Sequence, residues 1–131
     1  MPAVSLSYGR STWAKGLLPC LLVFALVLAA RLFYVEHFAV SLPYWDQWDS
    51  EGDFLIHPYV EGTFAFQNLW APHNEHRILP TRLTGLFLFE TTGEWNNLNS
   101  ARFNALLAAI LAAFMVWVPT RSVVSRRLTW M

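Results

Sequence analysis

The sequence predicts an all-α membrane protein in which two transmembrane helices flank an outer loop that carries short interfacial helices. Of its 131 residues, 55% are hydrophobic and only 14% are charged, whereas soluble domains carry roughly 25% charged residues. The apolar residues are clustered in two long runs instead of being spread through amphipathic elements. Most of the acids lie between these runs. Composition and clustering together favour a chain embedded in a bilayer.

The charge and the cysteine content argue against two other classes of protein. The formal net charge is zero, so there is no electrostatic case for nucleic acid as a partner. Cys20 is the one cysteine and lies inside the first apolar run. The chain therefore has no internal disulfide framework and no thiolate metal cluster.

The first transmembrane helix is predicted over residues 17–38, after a short polar N-terminus at residues 1–16. An apolar run of this length crosses a bilayer core of about 30 Å at about 1.5 Å per residue. Pro19 falls in the first turn of the predicted helix, where a missing amide costs little. Arg31, near the far end, can reach the interface or face a lipid phosphate there.

A cleaved signal peptide is the competing interpretation of this segment. Its basic start, its apolar stretch and the small residues Ala29 and Ala30 fit that pattern. The apolar character nevertheless continues past Arg31 as far as Val35, and a second apolar run follows later in the chain. We therefore predict an uncleaved anchor.

The region between the spans is predicted as a loop at residues 39–76, followed by an interfacial helix at residues 77–92. Prolines break the loop into pieces too short for a long helix. In the following segment the apolar residues are spaced as on a helix, but the segment is too short to cross a bilayer. Gly93 is a plausible stop for this helix.

The second transmembrane helix is predicted over residues 96–118. Its polar start can cap a helix, and an alanine-rich apolar run follows. Pro119 is expected to end it, which leaves residues 119–131 as a basic tail.

The distribution of charge predicts the topology. The region between the spans carries eight acids but only two arginines. Other basic residues lie before the first span and after the second: Arg10, Lys15, Arg121, Arg126 and Arg127. The positive-inside rule then places both termini in the cytoplasm and the loop outside. We expect a multi-pass protein of the inner (cytoplasmic) membrane of a cell.

The candidate chemistry lies between two motifs, Trp-Asp-Gln-Trp-Asp at 45–49 and His-Asn-Glu-His-Arg at 73–77. Asp46 and Asp49 share a face if their segment is helical. Paired carboxylates at a membrane surface can accept a proton from a nucleophile or hold a divalent cation. The two histidines of the second motif are three residues apart and do not match the His-Glu-x-x-His zinc motif. No metal ligand is therefore assigned.

Cationic and aromatic side chains supply candidate binding groups. Arg77 and Arg82 are spaced so that they can grip separate oxygens of a phosphate or diphosphate. In the alternative, Glu75 pairs with one of these arginines and simply fastens the loop to its helix. Trp45 and Trp48 suit the bilayer interface, and they would equally suit stacking on a sugar. An ordinary solvated loop, acidic and aromatic without further role, remains the alternative for the whole stretch.

The order of these elements resembles the start of a GT-C class membrane glycosyltransferase. That class includes protein O-mannosyltransferases and bacterial enzymes that add sugars to lipid A or arabinan. The segments Trp-Asp-Gln-Trp at 45–48 and Asn-Glu-His-Arg-Ile at 74–78 also resemble those of uncharacterised bacterial polytopic membrane proteins. The resemblance implies a polyprenyl-phosphate sugar donor and an acidic general base in the first outer loop. By position, it implies Asp46 as that base, with Asp49 as the alternative. The substrate-binding residues that we expect are Trp45, Trp48, Glu75, His76, Arg77 and Arg82.

Two features depart from the GT-C pattern. Many members have two adjacent acids at this point, whereas Gln47 and Trp48 separate the two aspartates here. Members also have many spans, so we expect this chain to be a fragment of a longer polytopic protein and inactive alone. Its expected partners are the lipid bilayer, the donor and the remaining helices. No cofactor is assigned, although the carboxylates leave a divalent cation open.

Two other functions also fit the sequence. The chain can be a small membrane interaction subunit, because small residues allow close helix approach in lipid. The residues concerned are Ala105, Ala108, Ala109, Ala112 and Ala113. It can also be a sugar-binding outer loop without catalysis that uses Trp45, Trp48 and Trp70.

Overall fold

The computed structural model describes the backbone of residues 8–128 and the side chains of residues 16–119. Over this part of the chain the fold is all-helical, as predicted. The elements in order are α1 (Tyr8–Phe38), a π-helix (Trp48–Ile56), α2 (His57–Val60), α3 (Phe66–Trp70), α4 (Leu79–Thr92) and α5 (Asn97–Leu128). They divide into two compact units, one formed by α1 as far as His37 with α5 from Phe103 onward, and the other by Phe38–Arg102.

The two long helices each contain a segment that is long and apolar enough to cross a membrane, as the sequence predicts. These segments are Gly16–Phe38 and Asn97–Pro119, each of 23 residues. Few of their side chains are buried within the protein. Apolar helices with this much exposed surface indicate a membrane protein, because lipid covers such a surface without the cost of hydrating it.

The prolines Pro19 and Pro119 both lie inside their helices, whereas the sequence predicts one in a first turn and the other at a helix end. α1 begins at Tyr8, so Pro19 is inside the helix and not in its first turn. α5 continues to Leu128, so the expected helix end at Pro119 is wrong. A proline removes one backbone hydrogen bond and favours a kink, but the helix can resume beyond it. In lipid the surrounding backbone stays helical because no water is present to bond to its N–H and C=O groups.

The unit formed by α1 and α5 has small side chains at its most buried positions. Cys20, Ala105 and Ala109 are buried, whereas most of the large apolar side chains of both helices are exposed. An open apolar groove lies between the helices, lined from α1 by Leu17, Cys20, Leu21 and Phe24 and from α5 by Ile110, Ala113, Phe114 and Trp117.

The unit formed by Phe38–Arg102 is organised around the π-helix. In a π-helix the hydrogen bonds reach five residues back, as in the bond from the His57 N–H to the Gly52 carbonyl. The π-helix contacts α2, α3 and α4 and buries Leu55 completely. A bond of 2.9 Å from the Asn97 N–H to the Ser41 carbonyl ties the two ends of the unit together.

Candidate functional site

The two sequence motifs meet through Asp46 and His73. The His73 Nε2 lies 3.4 Å from the Asp46 Oδ2, with the Asp46 side chain largely exposed and the His73 side chain mostly covered. The Asn74 Nδ2 lies 3.5 Å from the same histidine nitrogen. A carboxylate beside an imidazole is an arrangement that can take up and orient a proton. The contact therefore makes Asp46 the best-supported candidate for acid–base chemistry in this unit.

A tight turn presents the Asp46 carboxylate. The Gln47 N–H donates to the Tyr44 carbonyl at 3.1 Å, and the Tyr44 N–H donates back to the Gln47 Oε1 at 2.7 Å. Ser50 donates to the Asp46 carbonyl from its N–H at 2.9 Å and from its hydroxyl at 2.8 Å. The backbone of Asp46 is thus fixed, while its side chain remains open to solvent.

Trp45, directly before this aspartate, has a left-handed backbone with φ of 48°. A large aromatic residue rarely adopts this conformation, and strain of this kind clusters at functional sites. The Trp45 ring is 80% exposed. An exposed ring on a strained backbone beside the candidate base suits contact with a ligand better than support of the fold.

A second turn presents His73. The His73 N–H donates to the His76 carbonyl at 2.8 Å, and the His76 N–H donates back at 3.0 Å. Asn74 supplies the left-handed residue of this turn with φ of 51°, which asparagine tolerates well. Glu75 and His76 are exposed on the turn. Glu75 forms no ion pair with either arginine within the described residues, so it does not fasten the loop there.

The two arginines that the sequence groups together have different surroundings. Arg77 is exposed, lies 5.0 Å from the centre of the Trp70 ring and donates from Nη1 to the Trp70 carbonyl at 2.9 Å. Arg82 is only 1% exposed. Its Nη1 donates to the Ala71 carbonyl at 2.6 Å and to the Leu69 carbonyl at 3.4 Å. Of the two, only Arg77 offers its guanidinium to a solvent-borne phosphate.

Burial also affects the charge of Arg82. It lowers the pKa of the guanidinium, and the negative charge of Glu51 opposes that shift. The Phe54 ring lies 5.4 Å from the guanidinium carbon, so an aromatic face adds some stabilisation of the charge. The Nε has no hydrogen-bond partner. Arg82 is therefore a buried cation that is committed to the backbone of the loop.

Glu51 is a buried acid of this unit that the sequence does not single out. It lies in the π-helix and is 8% exposed. Burial raises the pKa of its carboxyl, and the nearby Asp46 charge raises it further. Hydrogen bonds from Trp95 and Gln47 and the charge of Arg82 act in the opposite direction. No feature of the sequence distinguishes it among the eight acids of the region, because its burial depends on packing against Trp95 and α4.

The remaining predicted residues lie on the π-helix. Asp49 is exposed, and Asp46 precedes the helix, so the two carboxylates do not sit on one regular α-helical face. The Trp48 ring meets Trp95 edge to face at 5.1 Å. No group of three histidine, cysteine or acidic side chains in the described part of the chain could hold a metal ion.

Comparison with known proteins identifies no relative of this chain. No protein-family model matches the chain, and neither a curated protein nor a solved structure matches it.

Proposed function

We propose that this chain is the N-terminal portion of an integral membrane protein similar to the GT-C glycosyltransferases. The whole protein would transfer a sugar from a polyprenyl-phosphate donor at the outer face of the inner membrane, with both termini of this portion in the cytoplasm. The observation that carries the proposal is the contact between Asp46 and His73. It joins the Trp-Asp-Gln-Trp-Asp motif at 45–49 to the His-Asn-Glu-His-Arg motif at 73–77, within a loop that connects two candidate membrane spans.

In this proposal Asp46 is the general base. It accepts the proton of the acceptor hydroxyl while that oxygen attacks the anomeric carbon and the bond from this carbon to the lipid phosphate breaks. His73 holds the carboxylate in place, at a Nε2–Oδ2 distance of 3.4 Å. Asp49, exposed on the π-helix, is the alternative base.

The phosphate and the sugar would meet exposed groups around this carboxylate. Arg77 keeps guanidinium donors free for the negative charge that develops on the leaving phosphate. Glu75 and His76 on the neighbouring turn, with Trp45 and Trp48, are the remaining candidates for contact with the substrate. The isolated fragment is expected to be inactive, because further helices of the longer protein and the bilayer would hold the lipid chain.

A non-catalytic sugar-binding loop is the second candidate. The observation that favours it is the exposure of Trp45 together with the stacking of Trp70 on Phe66, whose rings are 6.4 Å apart and nearly parallel. Exposed aromatic faces bind sugars without any acid or base. The burial of Ala105 and Ala109 does not favour the interaction subunit, because both alanines are already covered within this chain and offer no surface to a larger partner.

The test is sugar transfer by the whole protein that carries this loop, with Asp46→Asn. We expect transfer to fall about 100- to 10,000-fold, the usual cost of losing a general base, with donor binding unchanged. Asp53→Asn, which changes an exposed acid of the π-helix, is the matched control and should transfer normally. Normal turnover by Asp46→Asn would overturn the role of this base, whereas sugar binding without any transfer by the parent protein would favour the binding loop.

A further inference from the structure

Three consecutive carbonyl groups just before His73 all accept hydrogen bonds from arginines. Arg82 donates to Leu69 and Ala71, and Arg77 donates to the carbonyl of Trp70 between them. Carbonyl groups at the end of a short helix have no helical partner. Here the guanidinium groups replace those partners and hold the segment that leads into the His73 turn.

Arg82 is the better placed of the two to fix this segment. It lies in the first turn of α4, where its N–H donates to the Ile78 carbonyl at 3.0 Å. Its side chain is almost wholly buried. Charged donors form stronger bonds than neutral ones, and water does not compete for a buried bond. By contrast, Arg77 is exposed and holds a single carbonyl.

The same helix also supports the other half of the site. Gly85, one turn after Arg82, has no side chain, and a Cβ there would lie 3.8 Å from Leu55 and 3.9 Å from the Glu51 carboxylate. The π-helix therefore packs closely on α4. This π-helix contains Ser50, which binds the Asp46 carbonyl twice. One face of α4 thus contacts the supports of both Asp46 and His73.

We propose that Arg82 is a positioning residue that sets the His73 turn against Asp46. Its guanidinium fixes the chain at Leu69 and Ala71 to α4, and α4 in turn carries the π-helix that follows Asp46. The catalytic role of the Asp46–His73 pair rests on the proposed function. The positioning itself is a property of the loop and can be tested without any activity.

The test is chemical cross-linking of the full chain in detergent micelles or nanodiscs. Asp46→Cys and His73→Cys are introduced together in a Cys20→Ala background and treated with a short bis-maleimide. The intact mass then distinguishes two products. In the cross-linked product one reagent molecule joins both thiols, and in the other product each thiol carries its own reagent molecule. We expect Arg82→Met to lower the cross-linked fraction about tenfold, the effect of losing roughly one net charged hydrogen bond. Arg82→Lys should restore part of it, because an ammonium cannot reproduce the planar fork.

Two controls separate positioning from general loss of structure. The first is a second thiol pair in the same unit, Tyr59→Cys with Glu90→Cys, at a contact of 2.5 Å between α2 and α4. The second is Arg77→Met, which removes the hydrogen bond to the Trp70 carbonyl and the contact with its ring but leaves both bonds of Arg82, and it should reduce the cross-link at most slightly. Loss at 46 and 73 with cross-linking kept at 59 and 90 supports the proposal. Loss at both pairs, or at neither, overturns it, and either result leaves the role of Asp46 in transfer to be judged by the transfer assay.

Discussion

The two units of this protein distribute polar and apolar residues in opposite ways. The α1–α5 unit buries small side chains such as Ala105 and Ala109 and exposes large apolar ones. In Phe38–Arg102, Ser50, Glu51 and Arg82 are buried, while several aromatic rings are exposed. The exposed apolar side chains of the α1–α5 unit suit a bilayer, whereas the described residues of Phe38–Arg102 expose many charged groups and bury polar ones. Changes to its buried polar contacts should therefore cost more stability than changes to its exposed rings.

The largest effect on stability is expected from Gly52→Ala. A Cβ at this position would lie 2.8 Å from the Trp95 ring, so the ring must move and its contacts with Trp48 and Glu51 must change. Overpacking of this kind typically costs about 1–3 kcal/mol. Denaturant unfolding in micelles, followed by tryptophan fluorescence, measures the change. Gly16→Ala is the control, since nothing lies within 4 Å of its Cβ position. Equal effects of the two substitutions would mean that Trp95 does not pack on Gly52.

The next effect concerns pH. Burial raises the pKa of Glu51 above its ordinary value of 4.5, so the folded loop holds this proton more tightly than the unfolded chain. The stability that the protonated carboxyl contributes is fully present below about pH 4.5 and is lost as the pH rises through the folded-state pKa. Glu51→Gln stays uncharged throughout, so its melting temperature should not show this fall and should match or exceed that of the parent at neutral pH.

Asp53→Asn is the control for the pH experiment, because Asp53 is an exposed acid of the same π-helix. Its melting temperature should follow the parent across the pH range. If the Glu51→Gln curve also runs parallel to the parent, the burial of Glu51 has no energetic consequence and the polar interior of this unit is not what stabilises it.

The smallest effect is expected at the exposed Trp45. Trp45→Gly and Trp45→Ala both remove the ring, but only glycine adopts the left-handed backbone without penalty. The glycine variant should therefore be more stable than the alanine variant by about 1 kcal/mol. The same unfolding measurement checks this difference. A more stable alanine variant would show that the backbone at Trp45 is not held left-handed.

The sequence predicted the parts of this structure that depend on local patterns. Long apolar runs were enough for α1 and α5, and helical spacing with Gly93 was enough for α4, whose last turn ends on that left-handed glycine. The π-helix was not predictable in the same way. Its residues combine acids, glycine and apolar side chains without a helical period, and its packing depends on Trp95, which lies far along the chain.

For the candidate site, the sequence located the two motifs but did not predict which of their neighbours become buried or stay exposed. It grouped Arg77 with Arg82 by spacing alone, and only the packing of α3 against α4 buries one guanidinium and leaves the other exposed. It treated Glu51 as one of several loop acids, because burial is set by Trp95 and α4 and not by its neighbours. The catalytic role of Asp46 remains a prediction.

We expect the apolar helices to lie in lipid and the loop with its buried polar residues to lie at the outer surface. The most direct measurement is reaction of single cysteines with an impermeant thiol reagent in intact cells, in a Cys20→Ala background. Glu61→Cys lies at an exposed loop position, and Ser125→Cys lies in the predicted cytoplasmic tail, beyond the described side chains. Labelling at position 61 with protection at position 125 until the cells are permeabilised is the predicted result. Protection at 61 with labelling at 125 would instead place the loop in the cytoplasm and the C-terminal tail outside.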